Sequence, residues 1–212
     1  MFDVVLRETG LQAVFVKCIV VLIASLGVAA PWSASAGTPM KVEGFTFPGE
    51  VTVANTKLHL NGVGVRQVAW LKGYSAGLYL AQTTTSQAQA LALQGPKRVS
   101  MRMIIDAPSE EFAKAFTKGV TRNTPPEQWA GVQERVMKFD ATVRSIGKLK
   151  KGDMVEVEWR PAQGTVAMVN GKPFGQPVPG EDIFTAMLKI YIGDRPTDAK
   201  LKAGLLGLPP PK

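Results

Sequence analysis

Between Leu60 and Leu80 the chain reads LNGVGVRQVAWLKGYSAGLYL, and few structures can accommodate that stretch. It is almost wholly apolar or small, and it reads as two strands, Val65–Lys72 and Tyr74–Ala81, around a Lys72-Gly73 turn. One charge interrupts it, Arg66; Tyr74 follows eight positions later in a Gly-Tyr-Ser-Ala-Gly context. An arginine in such a run is either a strand-edge residue reaching water or a buried cation that needs an anion, because an unpaired buried charge is costly. The residues alone favour the first reading. Gly62 and Gly64 do not open a dinucleotide-binding loop, since Gln67 stands where a third glycine would be needed and no helix follows. Between strands, a G-x-G marks a bulge or a close backbone approach.

The segments around this pair do not alternate as βαβ units. Val42–Pro48, Val51–Val53 and Thr56–Asn61 read as short strands, the last with Leu58 and Leu60 on one face and His59 on the polar face. A short helix over Ser86–Gln94 precedes a strand over Arg98–Asp106. Ser109–Gly119 is helical, with Phe112, Ala113, Ala115 and Phe116 on its apolar stripe. Thr124-Pro-Pro-Glu127 reads as a capping box opening a second helix, with Trp129, Val132, Val136 and Phe139 facing inward. Met154–Arg160 alternates as a strand. Thr165–Val169 pairs through Asn170-Gly171 with a partner limited by Pro173 and Pro177. Glu181–Ile192 is a helix with Phe184, Met187, Leu188 and Tyr191 on one stripe, and Thr197 caps a last helix containing Leu201, Leu205 and Leu206. Sequential strands with clustered helices imply an α+β domain, an antiparallel sheet with helices on one face.

The first 36 residues read as a secretory signal peptide. An apolar run, Cys18–Ala30, leads to Ala34-Ser35-Ala36, a cleavage pattern, and the run is short for a membrane span. An uncleaved anchor is the alternative. Residues 37–212 then form one exported domain, assigned to the periplasm because no cysteine remains to form a disulfide. Cys18 is the only cysteine and His59 the only histidine. A histidine- or thiolate-based metal site is therefore not expected, nor is a serine-histidine-acid triad. The net charge of +8 survives cleavage, since Arg7 and Lys17 balance Asp3 and Glu8 in the leader. The cations are scattered, with Lys148-Leu149-Lys150-Lys151 the densest group, which reads as a solvated turn. Nucleic-acid binding is not expected, because no basic-aromatic interleaving appears; weak contact with an anionic membrane surface is compatible with this charge.

Gly64-Val65-Arg66, the β-rich run after it, Gly77-Leu78-Tyr79-Leu80, and the later order of strand, two helices, hairpin and C-terminal helices around Ile192-Gly193 resemble the chalcone isomerase-like family. The resemblance spans roughly residues 40–206. It implies an open-faced β-sandwich with a ligand cleft between sheet and helices, and it places Arg66 in that cleft. Isomerases of the family close a ring intramolecularly without a cofactor, using an arginine and neighbouring hydrogen-bond donors to hold an anionic nucleophile and a developing enolate. Of those donors, only the arginine is kept here, at Arg66. The threonine of the next strand falls at Tyr74, the active-site tyrosine at Phe112, the asparagine at Gly119 and the C-terminal threonine at Ile190.

Another branch of the family is non-catalytic and holds a fatty-acid carboxylate with an arginine and a tyrosine, which Arg66 and Tyr74 resemble more closely. The resemblance therefore implies a fatty acid or other apolar carboxylate bound by Arg66, Tyr74, Phe112 and Tyr191. Val68, Trp70, Met101, Met103, Phe116 and Met187 are further candidates for the channel. Two alternatives stand beside it: an isomerase of flavonoid-like enones with Arg66 as its catalytic electrophile, and a structural or partner-binding protein in which Arg66 pairs with a carboxylate of its own chain.

Overall fold

The computed structural model describes residues 37–211. The segment read as a signal peptide, and its cleavage point, lie outside them. The elements follow in the order β1 (Met40–Val42), β2 (Phe45–Phe47), β3 (Glu50–Val53), β4 (Thr56–Val68), β5 (Leu71–Leu80), α1 (Gln87–Ala92), β6 (Lys97–Met103), β7 (Ala107–Pro108), α2 (Ser109–Asn123), α3 (Pro126–Ser145), β8 (Lys148–Leu149), β9 (Met154–Arg160), β10 (Gly164–Val169), β11 (Lys172–Val178), α4 (Glu181–Ile192) and α5 (Ala199–Leu205). Seven strands make one antiparallel sheet in the order β11-β10-β9-β6-β5-β4-β3. The helices cover one face, as the α+β reading anticipates. The β1–β2 hairpin contributes to the other face, where Phe47 seats on Gly77.

Alternation along the central strands sorts residues between the faces. Tyr74, Ala76, Leu78, Val99, Met101, Val155 and Val157 belong to the main core with the helices, whereas Tyr79 joins Val53 and Leu58 in a smaller cluster. Opposite the helices, Glu158 is fully buried and accepts from both Arg98 and Arg160, so its charge is compensated.

The long strand β4 changes face partway. Leu58 and Leu60 lie with the smaller cluster, yet Arg66, an even number of residues further on, is paired directly opposite Tyr74 on the helix side. A bulge between Leu60 and Gly62 makes this possible, because one extra residue reverses every side chain after it. The extra residue, Asn61, is held at both ends of its amide. Its Nδ2 donates to the Leu205 carbonyl at 2.8 Å, and its Oδ1 accepts from the Thr84 amide at 2.7 Å. Beyond it, α5 lies so close to the strand that a Cβ at Gly62 would stand 2.2 Å from the Gly204 carbonyl oxygen. The G-x-G thus serves both roles expected of it, bulge and close approach.

Several boundaries differ from the sequence reading: Val42–Pro48 belongs to the β1–β2 hairpin and not to one strand, Thr56–Asn61 runs on unbroken into the next strand as β4, β6 ends at Met103 and not Asp106, and α2 continues past Gly119 to Asn123. The β4–β5 turn is at Ala69-Trp70, not Lys72-Gly73: Ala69 takes φ 52°, and the Gln67 side-chain Nε2 donates to its carbonyl. Gly73 is an ordinary strand position, so the glycine was a misleading turn marker. The Thr124 capping box does not form. Pro126 forces Pro125 into an extended conformation, ψ 144°, so the helix starts one residue late and Thr124 ends α2 instead. Likewise α5 is capped not by Thr197 but by Asp198, whose carboxylate accepts from Lys200 N and Leu201 N. On the edge strand β11, Pro173 and Pro177 interrupt pairing less than expected, because an edge needs donors on one side only. On α3, Val136 and Phe139 are buried, while Trp129 and Val132 are half-buried against the core. Phe116 and Phe139 join α2 to α3 with ring centroids 5.0 Å apart.

Candidate functional site

Arg66 and Tyr74 are cross-strand partners in the β4–β5 pair, so their side chains leave the sheet together toward the helices. The Arg66 side chain is 24% exposed. Its Nη1 donates to the Gln67 carbonyl at 2.7 Å and to Asp198 Oδ2 at 3.3 Å. The second contact is long and single-nitrogen, not the paired fork an arginine makes with a fully engaged carboxylate. Nε and Nη2 have no protein partner among the described residues.

Asp198 reaches this point because the α4–α5 connection folds back, with Thr197 N donating to the Ile190 carbonyl at 2.8 Å. The Asp198 carboxylate is amply satisfied without the arginine: Oδ1 accepts from Lys200 N and Leu201 N, and Oδ2 also accepts from Gln67 N at 3.2 Å. Burial raises its pKa, but the amides of Leu201, Gln67 and Lys200 and the charge of Arg66 together outweigh that and hold it below the usual aspartate value. Arg66 therefore faces an anion that is already well satisfied by backbone, and its Nε and Nη2 keep their hydrogen-bonding capacity.

Two phenols flank the guanidinium. Burial pushes the Tyr74 hydroxyl well above its ordinary value; Tyr191 and Asp198 add to the rise, and Arg66 opposes it. Burial likewise pushes Tyr191 up to about 12, against the neighbouring Tyr74 hydroxyl and the charge of Arg66. Both are neutral donors throughout the physiological range. The Tyr191 hydroxyl lies 3.8 Å from Met101 Sδ, a weak acceptor that leaves it available to a better one.

These groups stand in the wall of a cavity of about 470 Å³ between sheet and helices, within the usual size of a small-molecule site. Arg66, Tyr74, Phe112 and Tyr191 all line it, as do Val68, Met101, Phe116 and Met187. Two of the candidate channel residues do not. Met103 is buried in the core, and Trp70 is 85% exposed on the turn that the sequence reading put three residues further on. Apart from Arg66, Tyr74, Tyr191, Thr197 and Glu111, the wall is hydrocarbon, aromatic ring, methionine or glycine. The cavity meets solvent where its lining is exposed, at Val68 and Leu71 flanking the β4–β5 turn and at Glu111 and Ala115 on α2.

Of the five positions aligned with isomerase donors, Phe112, Gly119 and Ile190 are apolar. The Phe112 ring stacks obliquely on Tyr74 at 5.7 Å. At Gly119 any side chain would meet Ile190, whose Cγ2 would be 2.8 Å from an added Cβ. A polar side chain at 119 is thus excluded by its neighbour, and the two substitutions form one packing unit. Asp198 was not singled out from the sequence, and Thr197 was read only as a helix cap. The only available signal was an aspartate ahead of a short helix, which also reads as a plain cap. Among the described residues no group of three metal-ligating side chains comes together, and no helix is long and apolar enough to cross a membrane.

Comparison with known proteins agrees with this fold. A family model described as chalcone isomerase-like matches residues 39–207. The crystal structure of a fatty-acid binding protein from Arabidopsis thaliana superimposes with a TM-score of 0.63 at 15% sequence identity, covering 80% of this chain and 96% of that one. No curated protein sequence matches the chain.

Proposed function

The chain belongs to the chalcone isomerase-like family, and from that premise we propose that it is a non-catalytic carrier of a fatty acid or similar apolar carboxylate. The observation that carries this reading is an apolar cavity whose few polar groups include a cation with two unspent nitrogens and two neutral phenols. A carboxylate placed there takes charge-assisted hydrogen bonds from Arg66 and Tyr74, and its chain lies along Phe112, Phe116 and Met187. The fatty-acid binding described for the plant structural neighbour supports the same choice of ligand class. Catalysis fits less well, because the places where isomerase donors align hold Phe112, Gly119 and Ile190.

The test is equilibrium binding of saturated and unsaturated fatty acids to the delipidated protein. Saturable binding is expected, weakened at least tenfold in Arg66→Ala and less in Tyr74→Phe, as loss of a charge-assisted bond worth about 1.5–3 kcal/mol requires. Absence of binding by folded wild type would refute the reading. A second reading has its own observation, the Arg66–Asp198 contact: Arg66 could serve only to fasten β4 to α5. In that case Arg66→Ala lowers stability with no ligand present and no fatty acid binds. Residues 1–36 are proposed to act as a signal peptide cleaved after Ala36, with the domain working in the periplasm. Mass measurement of protein from the periplasmic fraction should find a chain beginning at Gly37.

A further inference from the structure

The cavity mouth coincides with the most exposed apolar feature among the described residues. Val68 is 60% exposed, Trp70 85% and Leu71 44%, three large side chains within four residues at the end of a hairpin. Folded surfaces scatter such residues singly; a cluster on a protruding turn marks a contact site. The same end of the molecule is basic. From the start of β5, Gly73 accepts from Ile104 N at 2.9 Å. Met103 in turn exchanges hydrogen bonds with Gly152 N and the Asp153 carbonyl. The hairpin tip, the end of β6 and the turn after β8 therefore follow one another along one edge of the sheet. The β10–β11 turn continues the row, since Met154 N donates to Asn170 Oδ1 at 2.9 Å.

This edge carries Lys72, Lys148, Lys150, Lys151 and Lys172. Lys72 pairs with Glu43 and Lys148 with Asp106, while the other three, all exposed, have no carboxylate partner among the described residues. The carboxylate of Asp153 is already held by Lys150 N and Asn170 Nδ2. The lysine cluster that looked like a merely solvated turn thus sits beside an exposed tryptophan and the opening of an apolar cavity.

We propose that this edge docks on an anionic lipid bilayer, with Val68, Trp70 and Leu71 set into the interface and Lys150, Lys151 and Lys172 over the headgroups. Tryptophan favours the boundary between headgroup and acyl chain, and each lysine near an anionic leaflet adds to the attraction. Three apolar side chains are far fewer than the twenty or so residues a protein interface takes from each side, but they suffice as a membrane wedge. Docked in this way, the cavity opens toward the lipid, and an acyl chain enters from the bilayer without crossing water. This last consequence rests on the carrier reading; the docking itself does not.

The experiment mixes the processed chain, beginning at Gly37, with phosphatidylglycerol vesicles containing brominated acyl chains, which quench tryptophans at the interface. Phosphatidylcholine vesicles serve as the neutral control. Beyond residue 36 the tryptophans are Trp70, Trp129 and Trp159, so Trp70→Phe identifies the signal. The expected result is quenching of wild type on anionic vesicles that largely disappears in Trp70→Phe. In Lys150→Glu/Lys151→Glu it should need at least tenfold more lipid, and with neutral vesicles it should be weak. Equal quenching of wild type and Trp70→Phe overturns the proposal even if the protein sediments with vesicles, because attachment is then through another part of the chain. Indifference to lipid charge or to the two lysines overturns it as well. Fatty-acid affinity, measured separately without vesicles, shows whether the carrier reading fails independently.

Discussion

Arg66 is anchored to its own chain through one nitrogen and leaves the rest of its fork to the cavity. Asp198 opposite it holds four donors, three of them backbone amides, so it orients the guanidinium without consuming it. Asparagine caps helices about as well as aspartate, so Asp198→Asn should keep α5 while removing the charge. The variant should be less stable than wild type near neutral pH. Because the folded pKa of Asp198 lies below its ordinary value, its stabilising contribution is full above about 3.9 and is lost as pH falls through the lower folded value. Thermal melts across that acid range should show the two proteins converging; a constant gap at all pH values would mean the charge plays no part. How far this site was legible is instructive. Arg66 and Tyr74 could be found because a lone cation and a phenol stand out in an apolar run. Asp198 could not, because its pairing depends on the fold-back of the α4–α5 connection, which no local pattern announces.

At the scale of elements, the site depends on a single inserted residue in β4. Asn61 shifts the alternation so that Gly62, Gly64 and Arg66 face the helices, and its amide ties the bulge to α5 and to the loop before α1. Asn61→Ala leaves a carbonyl and an amide without their partner and should cost about 1–3 kcal/mol, read as a lower denaturation midpoint. Gly62→Ala should be at least as harmful, about 1–3 kcal/mol or more, since the added methyl meets backbone of α5 that cannot move aside cheaply. Wild-type midpoints in both variants would show that α5 does not hold this strand. The sequence pattern announced a bulge or close approach at the G-x-G but not that it would swap faces, because the count of residues in a bulge is decided by pairing with β5. The misplaced turn has the same origin: Ala69 adopts a left-handed conformation that composition does not favour, while Gly73 next to it is plain strand.

For the whole molecule, the order of the longer elements was readable because each carries its own period, whereas the β1–β2 hairpin was read as one strand and β4 as two. The cavity was not, because Met101, Phe116 and Met187 look the same in a sequence whether they fill a core or line a space. A cavity of about 470 Å³ walled by hydrocarbon makes a quantitative demand on its ligand. Each methylene moved from water into it contributes about 0.8 kcal/mol, roughly a fourfold gain in affinity. Affinity should climb by that factor per carbon and then level off at the length the cavity encloses; a flat profile would mean the chain is not buried.

The most direct test of the account compares a fatty acid with the fatty alcohol of equal length, on wild type and on Arg66→Ala, by calorimetry. A carboxylate held by Arg66 predicts at least a tenfold preference for the acid in wild type and none in the variant, with the alcohol binding both proteins alike. Equal affinity for acid and alcohol in wild type, or a preference that survives Arg66→Ala, would contradict the central claim that this arginine grips the ligand's charge.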